Sequence, residues 1–286
     1  MTTAAGAADR AVWINGALVD PEEASVSVFD HGFTVGDGVF ETLKVVDGQP
    51  FAATRHLDRL ERSAVGLGLD VPLGQDKLRI AMDEVIAAVG PDAGRLRITL
   101  TGGPASLGSD RGSAGPTLVV VAAKANEWDP STSAVTVPWP RNERSAVAGL
   151  KTTSYAENVV ALAEAAKLGA TEAILPNLVG KLCEGTGSNV FVVIGGRLLT
   201  PSLLSGCLGG VTRALLLEEV PGADEEDMPI GRLADGDVTE VLLTSSTRDA
   251  QPLHEIDGRP LPGAYGPVAR QAAAALAALQ ARTLDP

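Results

Sequence analysis

Lys151 stands in an apolar-to-small stretch, AVAGL-Lys-TTS, in a chain sparing of lysine; the others are Lys44, Lys77, Lys124, Lys167 and Lys181. A lysine whose pKa is lowered by desolvation is a nucleophile that can form a Schiff base, although a solvated lysine at a strand-to-helix junction shows the same local pattern. Glu184 lies in CEGTGSN (183–189), ahead of the apolar run VFVVI. A carboxylate at a strand end beside small residues could face a ligand laid against the backbone, or the segment is a hairpin turn. Gly209 and Gly210 precede a helix expected from Val211 and Thr212, where free N–H groups and the helix dipole can hold an anion. Arg55 comes just before the LDRL turn of another helix, and Ser245, Ser246 and Thr247 end a strand with three hydroxyls.

No one of these segments decides a chemistry, but their order does. The chain resembles the class IV aminotransferases, the fold-type IV enzymes that use pyridoxal 5′-phosphate. The matching blocks are WINGALV, FDHGFTVGDGVFET, RHLDRL, GLK followed by AEN, LCEGTGSNVFVV, GVTRALLLE and LLTSSTRDAQPL, from Trp13 to about Leu253. The resemblance implies a role for each candidate. Lys151 is the lysine that binds the cofactor and moves the substrate proton. Glu184 faces the pyridine nitrogen, and Arg55, Val211, Thr212 and Ser246 bind phosphate. Phe33, Val35 and Thr247 lie on the substrate side.

The departures concern substrate. Tyr155 is four residues after Lys151 and Ala156 five, so AEN is closer to the D-amino-acid aminotransferase and lyase branches than to the branched-chain branch. The arginine that often follows the strand RLRITLT is Gly102 here, and Phe33 stands where the D-amino-acid branch has a tyrosine. Arg97, Arg111 and Arg248 are the candidates to hold a substrate carboxylate instead. The implied activity is transfer of an amino group from a D-amino acid or R-amine to an α-keto acid. The alternatives are a 4-amino-4-deoxychorismate lyase, a branched-chain amino-acid aminotransferase and a catalytically silent binding protein. The resemblance also implies a homodimer closed by the loop 102–115.

These residues need elements to place them. AVWING and ALVD read as a strand pair around Asn15-Gly16, and ETLKVV ends at an Asp47-Gly48 hairpin. Residues 54–69 and 76–90 read as amphipathic helices; Leu57, Leu60, Ala64 and Leu67 share one face of the first. RLRITLTG and PTLVVVAAK are strands. After a polar stretch, AVTVPWP, EAILPN, KLCEGT, NVFVVIGGRLLT and EVLLTSS read as strands, with VTRALLLEEV and PVARQAAAALAALQA as helices. Ser154 with Glu157 reads as a capping box for a helix ending near Leu168 before Gly169. The expected fold is α/β in two domains: a small α/β domain (1–125), a linker (126–132) and a larger pseudo-barrel domain (133–286).

Composition sets the outer bounds. With 36 acidic against 23 basic side chains in 286 residues, the net charge of −13 argues against a nucleic-acid partner. The longest apolar runs, 118–123 and 190–194, are too short to span a bilayer, and the N-terminal residues show no secretory h-region. Cys183 and Cys207 make neither a disulfide framework nor a metal quartet. The expectation is a cytoplasmic enzyme without a metal, acting on a small amino donor and an α-keto acid.

Overall fold

The computed structural model of the chain describes residues 9–286, so most of the segment read for a secretory leader lies outside the described residues. The chain divides into two compact units. Unit 1 comprises Met1–Asn126, Leu150–Ser154 and Thr283–Pro286; unit 2 comprises Glu127–Gly149 and Tyr155–Arg282.

Unit 1 contains β1 (Arg10–Ile14), β2 (Ala17–Val19), the single turn α1 (His31–Thr34), β3 (Gly38–Val46), β4 (Gln49–Pro50), α2 (Ala53–Leu67), α3 (Gln75–Val89), β5 (Ala93–Thr101) and β6 (Thr117–Lys124). The strands form an antiparallel sheet in the order β2-β1-β6-β5-β3-β4. Positive φ at Asn15, Gly16, Asp47 and Gly48 turns the two hairpins, as their sequences require. Strand alternation separates the two faces of the sheet. Val39, Leu43, Leu96, Ile98, Leu100, Leu118 and Val120 pack with Leu57, Leu60 and Ala64 of α2 and with Leu78, Met82 and Val85 of α3. Each buried leucine or valine contributes about 1.5–3 kcal/mol. Phe40, paired with Thr99, and Thr42, paired with Arg97, point to the opposite face.

Lys151 belongs to this unit, whereas the sequence reading put all of 133–286 in one domain. The cause is hydrogen bonding to the start of β3: Phe40 N–H donates to Lys151 O (3.0 Å) and Thr153 N–H to Gly38 O (2.8 Å). The C-terminal residues dock on the start of α2. Ala52 holds a left-handed φ of 55° there, and its N–H donates to Leu284 O at 2.7 Å. The N-cap of α2 lacks a capping side chain of its own; Asp285 fills that role, accepting from Thr54 N–H (2.8 Å) and from the Thr54 hydroxyl (2.6 Å).

Unit 2 contains β7 (Thr132–Thr136), α4 (Ala156–Lys167), β8 (Glu172–Pro176), β9 (Leu182–Gly185), β10 (Asn189–Ile194), β11 (Arg197–Thr200), α5 (Val211–Glu219), β12 (Asp224–Glu225), β13 (Val238–Ser245), β14 (Asp249–Ile256), β15 (Arg259–Pro260) and α6 (Pro267–Arg282). Its sheet runs β12-β11-β10-β13-β14-β7-β8-β9, with β15 on β14, and curls into a half-barrel. The Thr186–Ser188 turn joins β9 to β10, closed by Gly185 N–H to Ser188 O at 2.8 Å. Val190, Val192, Val241, Leu243 and Leu253 fill the core, while Ala161 and Ala165 of α4 pack on Val135, Ala173 and Leu175. Buried Glu240 reaches the start of α6, accepting from Val268 and Ala269 N–H.

The Ser154 capping box does not form. Helix α4 starts after Tyr155 without a capping side chain, because the Ser154 hydroxyl donates to Gly36 O at 3.0 Å. Gly169 does end the helix region with φ 78°. Cys183 and Cys207 are free and buried. Burial pushes both thiols up, Cys207 to about 11, so neither is nucleophilic at neutral pH. Among the described residues no helix is long and apolar enough to cross a membrane.

Candidate active site

Two backbone anchors fix the Lys151 segment. One is the pairing with β3; the other is α2, where the Ser63 hydroxyl accepts the Lys151 N–H at 3.1 Å. The side chain is half-buried and its Nζ lies 4.3 Å from the centroid of the Phe40 ring. Arg97 shares that ring, with Cζ 3.9 Å from the centroid and Nε donating to Thr99 Oγ1 at 3.1 Å. Both distances suit cation–π contact.

Arg55 and Arg59 stand differently. Arg55 Nε donates to Pro286 O at 2.9 Å, which turns it to the docked C-terminal residues. Arg59, one turn before Ser63, is buried. It donates to both oxygens of Glu41, from Nε and Nη2, each at 2.7 Å. His56 Nδ1 sits 2.6 Å from Glu41 Oε2. Burial pushes the Glu41 carboxyl up, but Arg59 and His56 outweigh it and hold it at about 2. Burial pushes His56 below its ordinary value against the pull of Glu41, and the Lys151 charge adds to that lowering. Arg55 is the arginine that the resemblance implies for phosphate, and Arg59 is a second cation on the same helix. By helical period, His56, Arg59 and Ser63 recur at i, i+3 and i+7.

The remaining candidates of unit 1 lie elsewhere. Arg111 is clamped: Nε and Nη2 donate to the two Asp37 oxygens (2.7 and 2.6 Å), and its other bonds go to Gly68 O and Leu67 O. Hydrogen bonding to Arg111 also holds the Asp37 carboxyl below the usual range. A Cβ at Gly102 would collide with Asp37 Oδ2, so the carboxylate of Asp37 occupies the space of the arginine sought there. Phe33 (73%) and Val35 (48%) are exposed, because the turn of α1, capped by Asp30, buries His31 instead.

In unit 2, Glu184 at the end of β9 is buried. Its Oε1 accepts from Arg141 Nε and its Oε2 from Leu208 N–H, both at 2.9 Å. Both contacts favour the charged carboxylate. Leu208 begins the approach to α5: its carbonyl accepts from Asn189 Nδ2 at 2.8 Å, and a Cβ at Gly210 would collide with Asn189 Oδ1. Glycine is therefore required next to Val211. The N-cap Gly210 brings no capping side chain, so the first turn of α5 presents N–H groups lacking intrahelical partners, with the hydroxyl of buried Thr212 beside them. Ser246 and Thr247 lie half-buried on the β13–β14 turn. Arg248 follows, but it is enclosed: Nη2 is 3.5 Å from Glu172 Oε2, Nη1 donates to Gln251 Oε1 at 2.7 Å, and the guanidinium lies 4.0 Å over Trp128. These partners engage both ends of its guanidinium.

Taken singly, an anchored amine, a carboxylate held by a cation and a backbone N–H, and an open helix start beside glycines each suit one group of pyridoxal 5′-phosphate: its aldehyde, its ring nitrogen and its phosphate. Those are the groups that pyridoxal-phosphate enzymes bind. The narrower assignment comes from comparison. The model of the amino-transferase class IV family matches residues 38–256, and the chain belongs to that family. A Methanocaldococcus jannaschii protein assigned by name to the branched-chain-amino-acid aminotransferases is 33% identical over 256 residues, 87% of this chain and 88% of its own. The D-alanine aminotransferase of Bacillus licheniformis is 30% identical over 277 residues, 93% of this chain and 95% of its own. A hypothetical aminotransferase from Mycobacterium tuberculosis, solved in its PLP-bound form, has a TM-score of 0.82 at 29% identity, covering 94% of this chain and 98% of that one. The fold is that of the fold-type IV aminotransferases, and the family with its cofactor-bound neighbours implies pyridoxal phosphate.

Proposed function

We propose that the protein moves an amino group from a D-amino acid, such as D-alanine or D-glutamate, or from an R-amine, to an α-keto acid, with pyridoxal 5′-phosphate as cofactor. The observation that carries this reading is Lys151, its backbone tied to β3 and Ser63 and its amine on the same ring as Arg97. Bound cofactor supplies an electron sink for the pair released at the substrate Cα. Lys151 holds it and carries the proton to and from Cα. Glu184, backed by Arg141 and Leu208 N–H, keeps a proton on the ring nitrogen. Arg59, the N–H groups of Val211 and Thr212, and Ser246 take the phosphate; Arg55 serves the docked C-terminal residues instead. Arg97 holds the substrate carboxylate, and Thr247 lies on the substrate side.

A second reading, a branched-chain L-amino acid as donor, is supported by the Methanocaldococcus jannaschii relative and uses the same residues with opposite donor stereochemistry. We also expect a homodimer, since exposed Phe33 and Val35 suit cover by a second copy; light scattering that gives a stable monomer excludes it. The function is tested by the visible absorbance of the purified protein. Conversion to the pyridoxamine form by D-alanine, D-glutamate or an R-amine supports the first reading, and conversion by L-leucine or L-valine the second. Pyruvate release from 4-amino-4-deoxychorismate without conversion makes the protein a lyase. Lys151→Ala that keeps turnover and a borohydride-reducible linkage overturns the assignment of the lysine.

A further inference from the structure

Glu184 and Ser246 lie beside turns that connect different strands of the unit 2 sheet, and one buried carboxylate serves both turns. Glu172, at the start of β8, is 1% exposed. Its Oε1 accepts the N–H of Thr186 (3.0 Å), the Thr186 hydroxyl and the N–H of Ala173 (3.1 Å); its Oε2 accepts the Ser188 hydroxyl at 3.1 Å. The Thr186–Ser188 turn directly follows β9, which ends at Glu184-Gly185, and leads into Asn189, which holds Leu208 O. On its other side Glu172 faces Arg248, whose N–H donates to Ser245 Oγ at 3.3 Å and whose guanidinium is fixed by Gln251 and Trp128. Gln251 is itself held by Asp129 O at 2.7 Å. Space is tight as well: a Cβ at Gly185 would lie 3.2 Å from Glu172 Cδ and would collide with the Ser188 hydroxyl.

Removing either charge of such a pair leaves the other buried without its counter-charge. Both turns would then have to move to rehydrate it. Neither charge is assigned a contact with substrate or cofactor, so any effect on the reaction passes through the residues they hold.

We propose that Glu172 and Arg248 are a positioning pair that sets the spacing of the Glu184 turn and the Ser246–Thr247 turn, and thereby the grip on pyridoxal phosphate. This rests on the cofactor reading above.

The test uses holoenzyme carrying Glu172→Gln, Arg248→Met or both. Cofactor retention after dialysis is read by absorbance well below each variant's Tm, with Tm and tryptophan emission recorded alongside. Each single variant is expected to retain pyridoxal phosphate at least tenfold more weakly, and the double variant no more weakly than the worse single. Arg248→Met also shifts the emission of Trp128, and Arg248→Lys restores part of the retention. Retention within twofold of wild type, or losses that multiply in the double variant, overturns the pairing. If Glu172→Gln does not fold, Arg248→Met against Arg248→Lys decides by the same tenfold and twofold limits. Wild type lacking a borohydride-reducible linkage overturns the cofactor reading and this proposal together, whereas an intact linkage with unaffected variants overturns the proposal alone.

Discussion

Lys151 and Arg97 meet at one aromatic ring: the amine of the first and the guanidinium of the second lie 4.3 and 3.9 Å from the centroid of Phe40, and so no more than about 8 Å from each other. Arg111 and Arg248 are consumed by Asp37 and Glu172. If Arg97 holds the substrate carboxylate, as proposed, Arg97→Met is expected to raise KM for amino-acid donors by about 10–100-fold, the worth of one charged hydrogen bond of about 1.5–3 kcal/mol. Amines without a carboxylate lose little. Steady-state kinetics with D-alanine against an R-amine checks it, and equal losses for both exclude Arg97 as the carboxylate ligand.

Glu184 has its two oxygens held by different groups, a side-chain cation and a backbone N–H. Glu184→Gln keeps the volume and the Leu208 contact but removes the charge proposed to hold a proton on the ring nitrogen. The expected result is a fall in kcat of about 10–100-fold, on the same scale for one charged hydrogen bond, with KM little changed. A matching change in the absorbance of bound cofactor accompanies it. Unchanged kcat with an unchanged spectrum removes Glu184 from that role.

Most of the architecture was legible because it is local. Asn15-Gly16 and Asp47-Gly48 demand positive φ wherever they occur, and the apolar period of α2 names Leu57, Leu60 and Ala64 as core. Gly210 before Val211 was readable as a helix start because nothing else is needed to make one. What escaped depends on distant chain. The Ser154 hydroxyl is diverted to Gly36 O, which no local rule contains. Lys151 joins the first unit through β3, more than a hundred residues earlier. The helical period sets Arg59 on one face with His56 and Ser63, but the partners that separate it from Arg55 are distant: Glu41 accepts from Arg59, and Pro286, 231 residues away, accepts from Arg55.

That last difference is itself testable. Arg59→Lys keeps a cation but loses the planar fork that matches carboxylate and phosphate. We expect at least tenfold weaker retention of pyridoxal phosphate in Arg59→Lys and a change below twofold in Arg55→Gln, measured by equilibrium dialysis. The reverse order restores Arg55 as the phosphate ligand.

Asp285 caps α2 from the far end of the chain, bonding the N–H and hydroxyl of Thr54 and standing 3.3 Å from Arg79. Loss of an N-cap costs about 1 kcal/mol, and the same helix carries Arg59 and Ser63. Asp285→Ala is expected to lower stability by about 1 kcal/mol in urea unfolding, while Asp285→Asn, which keeps an acceptor, loses less. Equal losses in the two variants mean that charge, not capping, is the contribution.

The buried Glu41–His56–Arg59 cluster predicts how the protein fails in acid. Glu41 titrates at about 2 when folded and near its ordinary 4.5 when unfolded. A carboxyl lowered by folding contributes stability that is complete above the unfolded value and is lost as pH falls from there through the folded value. The size is about 3 kcal/mol, from about 1.4 kcal/mol for each unit of the difference. His56 acts in the same direction. Burial lowers it when folded, so acid protonates the unfolded chain first, and stability declines as pH drops below the ordinary 6.5. The stability curve should therefore bend downward below about pH 6.5 and steepen below about 4.5. Glu41→Gln removes the carboxyl and should flatten the lower limb while lowering stability at pH 7, since Arg59 loses its buried partner. Urea midpoints from pH 7 to pH 3 for wild type and Glu41→Gln check this, and parallel curves would show that Glu41 does not govern the acid limb.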